Sequence, residues 1–337
     1  MSTRENVTMK DIAERVGVSV VTVSKALNDR DGVSEETKKK IQQLADEMGY
    51  RYNVMARSIK EGYSYNIGVI IAERFAGDIQ SFYLKFYKHI SMLLEKYDYS
   101  GILNILTEED EENCILPKSY QERKVDAFIL LGQIHKSYIE ALQKSEIPII
   151  FLDFYDEHAN VDSVITDNFY GSYEITNYLI MNGHRDIAFV GNLYATSSIQ
   201  DRFLGYYKSL LEHKISIRQE YIINDRDEKG KFINLTLPKP LPTAFVCNCD
   251  QIAYHLITML KKQGYLVPND CSVVGFDNDI FAMISNPPLT TVEVDIKEMA
   301  AMAIRIIIEK IKNPNKEYGR MLVPGNIIYR DSVKKLV

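Results

Sequence analysis

The sequence is short of the features that mark secreted, membrane-bound or disulfide-stabilised proteins. It has no tryptophan, and its 337 residues include only four irregularly spaced cysteines: Cys114, Cys247, Cys249 and Cys271. No apolar run approaches the roughly 20 residues that a membrane-spanning helix needs. The N-terminal stretch MSTRENVTMK lacks the apolar segment of a secretory signal. These absences predict a globular protein of the reducing cytoplasm.

Sequence signatures of catalysis are also missing. No glycine-rich phosphate-binding loop of the Walker or dinucleotide type follows an early strand, and neither G-x-S-x-G nor H-E-x-x-H occurs. Cys247 and Cys249 lie close together at a predicted strand end, but no His/Cys cluster accompanies them, so we predict no metal site. We therefore expect neither enzymatic activity nor a cofactor.

Charge is unevenly distributed along the chain. The net charge of −6 argues weakly against nucleic acid, but residues 1–63 carry 11 basic and 10 acidic side chains. A basic cluster follows the first predicted helices: Lys38, Lys39, Lys40, Arg51, Arg57 and Lys60. At about 100–200 residues per domain, the length predicts two or three domains.

Three short helices are predicted in the first 50 residues. Thr8 followed by Asp11 is the pattern of an N-terminal capping box, and Gly17 ends that first helix. Ser19 and Ser34 are the caps of the second and third helices. Apolar residues at helical spacing predict one small core: Ile12, Ala13, Val16, Val23, Ala26, Leu27, Ile41, Leu44, Ala45 and Met48.

The first two helices, joined by a tight turn at Gly17, have the spacing of a helix-turn-helix. Such a turn presents the N-terminal end of the second helix to the major groove of DNA. Polar side chains there can reach phosphates or base edges, and valine can contact thymine methyl groups. On spacing alone, a helical hairpin in a small interaction domain is the alternative. The positions predicted to be exposed are Val20, Val21, Thr22, Ser24, Lys25 and Asn28.

From Ile67 onward, short apolar runs alternate with longer amphipathic segments. The runs cover 66–71, 101–106, 127–132, 147–153, 187–191, 243–247 and 272–277. The helical segments include 81–97, 169–182, 201–213, 250–263 and 295–312. Near-continuous apolar strands that alternate with helices predict parallel sheets covered on both faces. Because so many strands exceed what one sheet usually needs, we expect two doubly wound α/β lobes with a cleft between them.

Several segments together resemble a known family. Near the N-terminus they are TMKDIAERVGVSVVTVSKALN, VSEETKKKIQQLADEMGYRYN and ARSIK; in the body they are DNFYGSYEITNYLIMNGHRDIAFVG, DRFLGY, CDQIAYHLITMLKKQGYLVPNDCSVVGFDN and PPLTTVEVD. In this order and spacing the chain resembles the lactose-repressor (LacI/GalR) family of bacterial transcription regulators, with only a loose match over 72–126. The resemblance implies an all-α helix-turn-helix head and an α/β core like that of periplasmic binding proteins.

The resemblance assigns base reading to two residues at the start of the second helix and one residue five positions on. Here they are Val20, Val21 and Lys25, and Lys25 is the candidate for a guanine contact. Many members of the family carry a hydrogen-bonding residue at one of the valine positions. The Val-Val pair therefore predicts methyl contacts or tolerance at those base pairs. The residues implied to contact the DNA backbone are Thr8, Ser19, Thr22, Ser24, Asn28 and Tyr50.

Residues 53–60 resemble the family's hinge, which folds into a helix on DNA and pairs with its twin in a second subunit. The resemblance makes Ile59 the apolar wedge in the minor groove, where leucine is usual. Ala56 is small enough for close approach, and Arg57 can reach the groove or phosphates. Such a wedge unstacks a base step and kinks the duplex. An isolated helix this short is marginal in water, so a plain tether is the alternative.

Members of the family bind small effectors, commonly sugars, between the lobes. Arg202 and Asp277 fall on family positions that grip hydroxyl groups. Phe82 and Tyr83 either supply an aromatic contact near the first strand or belong to the core of their own helix. The other candidates lie at or near predicted strand ends, where cleft residues belong. The full candidate set is Phe82, Tyr83, Asp153, Tyr194, Arg202, Cys249 and Asp277.

Cys249 is a departure from the family's pattern. The family usually has Asn-Asp where this chain has Cys249-Asp250, and that asparagine often touches the effector. A thiol is a weak hydrogen-bond partner. Either the effector makes fewer polar contacts here, or Asn248 or Asp250 takes over this role.

The expected domains are a head over 1–52, a hinge and linker over 53–65, an N-terminal lobe over 66–163 plus 291–325, and a C-terminal lobe over 164–290 plus 326–337. The resulting hypothesis is a repressor of carbohydrate-use genes that binds a pseudo-palindromic operator and is released by a sugar-like effector. Because the terminal SVKKLV has no heptad-rich tail, we expect a homodimer. The alternatives are a regulator whose DNA binding is strengthened by a ligand or a partner protein, a sugar-binding module without DNA regulation, and an α/β enzyme.

Overall fold

The chain divides into two compact units, Met1–Tyr63 and Ser64–Val337. The computed structural model describes residues 7–27, 29–50, 58, 61–76, 82–227 and 230–336. No helix in these ranges combines the length and the apolar character that crossing a membrane requires.

The first unit contains the predicted helices α1 (Met9–Val16), α2 (Val20–Leu27) and α3 (Glu35–Glu47). Thr8 and Asp11 form the expected capping box at the start of α1. Gly17 has a φ of +76°, a left-handed conformation that glycine adopts without the strain of a Cβ atom. This residue ends α1 and turns the chain into α2.

One apolar core holds these helices together, and all ten predicted core residues belong to it. The buried members are Ile12, Ala13, Val23, Ala26, Ile41 and Ala45, and the half-buried ones include Val16, Leu27, Leu44 and Met48. Lys38 is also buried, with its Nζ 2.8 Å from Asp29 and 3.2 Å from Glu35. This member of the predicted basic cluster is therefore neutralised within its own unit.

The second unit contains two six-stranded sheets within its described residues. In spatial order, the first consists of β11 (Arg320–Val323), β5 (Ser163–Thr166), β4 (Ile149–Leu152), β3 (Ala127–Leu131), β1 (Asn66–Ala72) and β2 (Ser100–Leu106). The second consists of β12 (Asn326–Ile328), β10 (Thr290–Glu293), β9 (Ser272–Asp277), β8 (Ala244–Cys247), β6 (Ile187–Val190) and β7 (Ile222–Ile223). Neighbouring strands run parallel except β10 and β12. The prediction of two doubly wound lobes is confirmed.

Helices cover both sheets. They are α4 (Phe82–Leu94), α5 (Glu108–Glu112), α6 (Lys118–Gln121), α7 (Lys136–Gln143), α8 (Asn168–Met181), α9 (Ser197–Glu212), α10 (Asp250–Lys262), α11 (Ile280–Ile284) and α12 (Ile296–Lys312). Helix α9 begins earlier than the predicted segment 201–213 because Thr196 caps it, its hydroxyl accepting from the Ile199 N–H. This early start brings the first turn of α9 to the edge of the cleft.

Two of the predicted lobe boundaries are wrong. The boundary between 163 and 164 falls inside β5, which pairs with β4 and β11 of the first sheet. The boundary between 290 and 291 falls inside β10, which pairs with β9 and β12 of the second sheet. Each strand stays whole because its backbone groups are hydrogen-bonded within the ladder of one sheet. The chain therefore changes lobes after β5, after β10 and between β11 and β12.

The packing of α8 against α9 depends on Gly205. A Cβ atom at this position would lie 2.1 Å from the carbonyl oxygen of Phe169 and 2.9 Å from the amide nitrogen of Tyr173. Because these are backbone atoms, the helices would have to separate, and we expect Gly205→Ala to lower the free energy of unfolding by about 1–3 kcal/mol. Chemical denaturation measures this change. The control is Gly101→Ala, where the nearest atom would be 3.5 Å away. Equal stability of the two variants would contradict the expectation.

Candidate functional site

The outer face of α2 carries the residues that were predicted to read DNA bases. Val23 and Ala26 face the core, whereas Val20 and Val21 are 44% and 65% exposed. Lys25 is exposed as well and lies one helical turn beyond Val21 on the same side. This arrangement leaves two apolar side chains and one amine free to meet the floor of a groove.

Most of the polar candidates in the head are also used by the head itself. The hydroxyl groups of Ser19 and Thr22 are 2.9 Å apart, and Ser19 Oγ accepts from the Thr22 N–H, capping α2. The Thr8 hydroxyl is engaged by Asp11 in the capping box. Ser24 is half-buried, and Tyr50 packs partly against the head core. Their contacts with the DNA backbone stay predictions.

Four predicted DNA-binding residues lie outside the described residues. They are Asn28, Ala56, Arg57 and Ile59. Their roles at the end of α2 and in the hinge therefore stay predictions.

A cavity of about 130 Å³ lies between the two sheets, and we call it the inner cavity. The carboxyl ends of β3 and β4 face it from the first lobe, and those of β8 and β9 face it from the second, as expected for doubly wound sheets. Every predicted effector residue except Tyr194 lines it: Phe82, Tyr83, Asp153, Arg202, Cys249 and Asp277. Phe82 lines the cavity and also packs edge-on against Phe86 of its own helix, so both interpretations of its role apply.

Arg202 on α9 is held from several sides. Its Nε donates to Asn168 Oδ1 at 2.8 Å, and its Nη1 donates to the carbonyl oxygen of Asn248. The guanidinium lies 3.8 Å from the ring centroid of Phe276, and Nη2 is 3.4 Å from Asp277 Oδ1. These contacts fix the plane of the guanidinium before any ligand arrives.

Asp153 follows β4 with a φ of +68° and turns its carboxyl into the cavity. Its Oδ2 accepts from the Tyr83 hydroxyl at 2.9 Å. Its Oδ1 is buried and has no hydrogen-bond partner among the described residues. Burial raises the pKa of this carboxyl to about 6, although nearby Arg202 opposes the shift. The site therefore contains an acceptor oxygen without a donor.

Asp277 ends β9 with a φ of +110° and faces Arg202 across the cavity wall. The neighbouring Asn278 fixes the turn, since its Nδ2 donates to Glu293 and its Oδ1 accepts from Arg330. Burial raises the pKa of the Asp277 carboxyl to about 8, with Arg202 again opposing the shift.

The alternatives that Cys249 raised stay predictions, but Cys249, Asn248 and Asp250 have different surroundings. Cys249 lines the cavity, but burial raises the pKa of its thiol to about 12, so it stays neutral. Asp250 turns away, because its carboxyl accepts from the Thr291 hydroxyl and the Asp279 N–H. Asn248 lines the cavity and bonds to Arg202. Cys247 is buried in the core of the second lobe, and Cys249 packs partly against the same core.

Tyr194 does not line the inner cavity, and its contact with the effector stays a prediction. The loop before α9 leaves it 91% exposed. It lines a larger cavity of about 520 Å³, which we call the outer cavity, together with Arg74, Lys136 and Tyr155. Both cavities share part of their walls: Phe75, Gln133, Thr196 and Arg226.

Arg226 and Gln133 are cleft residues that sequence reasoning missed. Gln133 closely follows the apolar run of β3, a position at a strand end that could have drawn attention. Arg226 follows the very short strand β7 in an irregular stretch. No periodicity there distinguishes it from a loop side chain.

Comparison with protein-family models places both units. Residues 8–53 match the model described as bacterial regulatory proteins, lacI family. Residues 176–333 match the model of a periplasmic binding protein-like domain.

Full-length relatives and solved structures resemble the whole chain. ExuR of Bacillus subtilis (strain 168), described as a probable HTH-type transcriptional repressor, is 31% identical, and the match covers 98% of this chain and 99% of ExuR. The lac repressor dimer bound to operator and the anti-inducer ONPF has a TM-score of 0.76 at 22% identity, covering 98% of this chain and 100% of that one. The transcriptional regulator CelR in complex with cellobiose has a TM-score of 0.69 at 21% identity, covering 97% and 100%.

The raised pKa of Asp277 makes stability depend on pH. The folded protein holds a proton that the unfolded chain, with a pKa of 3.8, releases. This group therefore favours folding most in acid, and its contribution is lost as the pH rises from about 4 to about 8. Relative to Asp277→Asn, which cannot titrate here, we expect the melting temperature of the unmodified protein to fall between about pH 6 and pH 9. Calorimetry across this range measures it, and parallel curves would contradict it.

Proposed function

The chain belongs to the lacI family of bacterial regulatory proteins and is a DNA-binding transcriptional regulator, not an enzyme; on that premise we propose that it represses carbohydrate-use genes until a sugar-like effector releases it. It acts as a homodimer on DNA in the cytoplasm. The two-fold symmetry of the dimer matches a pseudo-palindromic operator.

The exposed face of α2 supports the DNA-binding part of the proposal. Val20 and Val21 contact thymine methyl groups, and Lys25 donates to a guanine edge. The hydroxyl groups of Thr8, Ser19, Thr22, Ser24 and Tyr50, with Asn28, contact phosphates and fix the register of the head.

The hinge supplies the second set of DNA contacts. We assign Ile59 as the wedge in the minor groove, with Ala56 at the close approach and Arg57 at the groove or phosphates. This assignment is supported by the resemblance of 53–60 to the family's hinge and by the general cost and gain of a kinked base step.

The unpaired acceptor of Asp153 is the observation that carries the effector proposal. A buried acceptor without a donor costs about 1–3 kcal/mol, and a ligand hydroxyl group would remove this cost. Arg202 and Asp277 offer a fixed donor and acceptor on the opposite wall. The transcriptional regulator CelR, which shares the fold, has been solved in complex with the sugar cellobiose. A small polyol therefore suits this cavity.

Ligand binding couples to DNA binding through the lobes. Tyr83 and Asp153 belong to the first lobe, whereas Arg202 and Asp277 belong to the second, so one ligand ties both together. Among the described residues, direct hydrogen bonds across the cleft include the Tyr155 hydroxyl to Asp201 Oδ1 at 3.0 Å and Ser198 Oγ to the Asp153 carbonyl oxygen at 3.2 Å. A ligand that favours one lobe arrangement shifts its population, and DNA and ligand must change each other's affinity by the same factor.

The direct test is DNA binding by the full chain with and without sugars. A duplex selected from a random library is titrated by fluorescence anisotropy at low and moderate salt, alone and with ribose, cellobiose, galactose or galacturonate. We expect tight binding and release by at least one sugar. Failure to select any duplex would overturn the regulator proposal, and strengthened binding would replace release with a corepressor arrangement.

Lys25 is expected to carry sequence discrimination rather than general attraction to DNA. Lys25→Ala should reduce the preference for the selected duplex over a random one by about 5–100-fold, the equivalent of about 1–3 kcal/mol. Lys10→Ala is the matched control, since it removes an equal charge from an exposed side chain of α1. If both variants lose affinity without losing discrimination, Lys25 contacts only phosphate.

A further inference from the structure

Arg226 lies in the cleft, but the proposed contacts with ligand hydroxyl groups give it no role. It is 8% exposed and lines both the inner and the outer cavity. Its backbone pairs with that of Phe232, and its guanidinium lies 4.9 Å from the centroid of the Phe232 ring. A buried cation is held in the wall where the two cavities meet.

The hydrogen bonds of Arg226 leave one edge of its guanidinium open. Nε and Nη2 donate to Asp225 Oδ2 at 3.0 and 2.7 Å, and Nη2 also donates to Asn248 Oδ1 at 3.1 Å. Among the described residues, Nη1 donates to no side chain or backbone acceptor. Because the N–H of Nε and both N–H groups of Nη2 are engaged, the open edge consists of Nη1 with its two N–H groups, which can donate to an oxyanion.

Asn248 brings this guanidinium next to that of Arg202. The side-chain oxygen of Asn248 accepts from Arg226, and its carbonyl oxygen accepts from Arg202. Its Nδ2 is held by the Val190 carbonyl oxygen and by Asp225. Two buried cations therefore meet at one fully engaged residue.

The carboxyl groups around the cavity differ in how readily they hold a proton. Asp225 pairs directly with Arg226. Burial raises the pKa of Asp153 to about 6 and that of Asp277 to about 8. At pH 7 Asp277 therefore holds its proton and Asp153 is mostly ionised, so Asp225 and Asp153 balance the two guanidinium charges. A carboxylate added beside them would raise the pKa of Asp153 further, so its binding would bring a proton into the site.

We propose that the effector carries a carboxylate group, which binds the open edge of Arg226 while its hydroxyl groups bind Asp153 and Arg202. The ligand class is a polyhydroxylated carboxylic acid, such as a sugar acid. The two charges of a dianionic phosphate would be undercompensated, because only one cationic edge is open. The inner cavity, of about 130 Å³, also favours the smaller carboxylate. This inference rests on the proposed effector role of the cleft and narrows it.

The test compares acids with their neutral counterparts on the full chain. Isothermal titration calorimetry at pH 7 uses D-galacturonate against D-galactose, D-glucuronate against D-glucose, and D-gluconate against D-glucitol, with glucose 6-phosphate as the phosphate arm. We expect at least one acid to bind at least tenfold more tightly than its neutral counterpart, with net proton uptake in buffers of different ionisation enthalpy. Tighter binding of the phosphate than of every acid overturns the carboxylate assignment.

Two variants test the role of Arg226. Arg226→Gln should lose at least tenfold in affinity for the acid while its affinity for the neutral counterpart changes less than threefold. Because this change leaves Asp225 buried without its partner, the double variant Asp225→Asn/Arg226→Gln, which removes both charges, repeats the measurement. Lys136→Gln is the matched control, since it removes an exposed charge that lines the outer cavity.

The outcomes separate this inference from the proposed function. Binding and DNA release by neutral sugars alone would overturn the carboxylate but leave the effector role intact. The carboxylate assignment would also be overturned if both Arg226 variants kept their preference for the acid, or if no acid bound at 10 mM. If the unmodified chain bound no DNA, the proposed function itself would be contradicted.

Discussion

The arrangement of the second unit depends on the chain changing sheets after β5, after β10 and between β11 and β12. Because the strands within each sheet are parallel over most of its width, their carboxyl ends collect along one edge. The connections hold the two edges face to face. Residues that follow strands in different lobes, such as Asp153 after β4 and Asp277 at the end of β9, therefore meet in one cavity although they are far apart in sequence.

Features that depend on local chemistry were predictable from the sequence. Thr8 and Asp11 form the capping box, Gly17 takes the left-handed turn, and the head core consists of the residues at helical spacing. The apolar runs became strands of two sheets, and residues at their ends line the cleft. These signals act within a few residues, so a linear pattern contains them.

Features that depend on long-range pairing were not predictable. The short strands β5 and β10 each pair within one sheet, and the sequence does not show which. Two lobe boundaries were therefore predicted inside these strands. Tyr194 follows a strand closely, yet its loop turns it to solvent. Arg226 lies in an irregular stretch, and only its contacts with Asp225 and Asn248 show that it is buried. Exposure and partnership of such side chains are properties of the assembled lobes.

The unpaired oxygen of Asp153 links the chemistry of the cavity to regulation. A ligand shifts an equilibrium between two lobe arrangements only by the difference in its affinity for them. In the arrangement described here, the cavity pays for a buried acceptor and for two guanidinium groups at Asn248. An arrangement that opens to water would hydrate these groups, so an empty cleft gains little by closing. Under the proposed function, a ligand that donates to Asp153 and accepts from Nη1 of Arg226 would stabilise the arrangement described here relative to an open one. The buried polar groups of the empty site would then supply the differential affinity that a regulator needs.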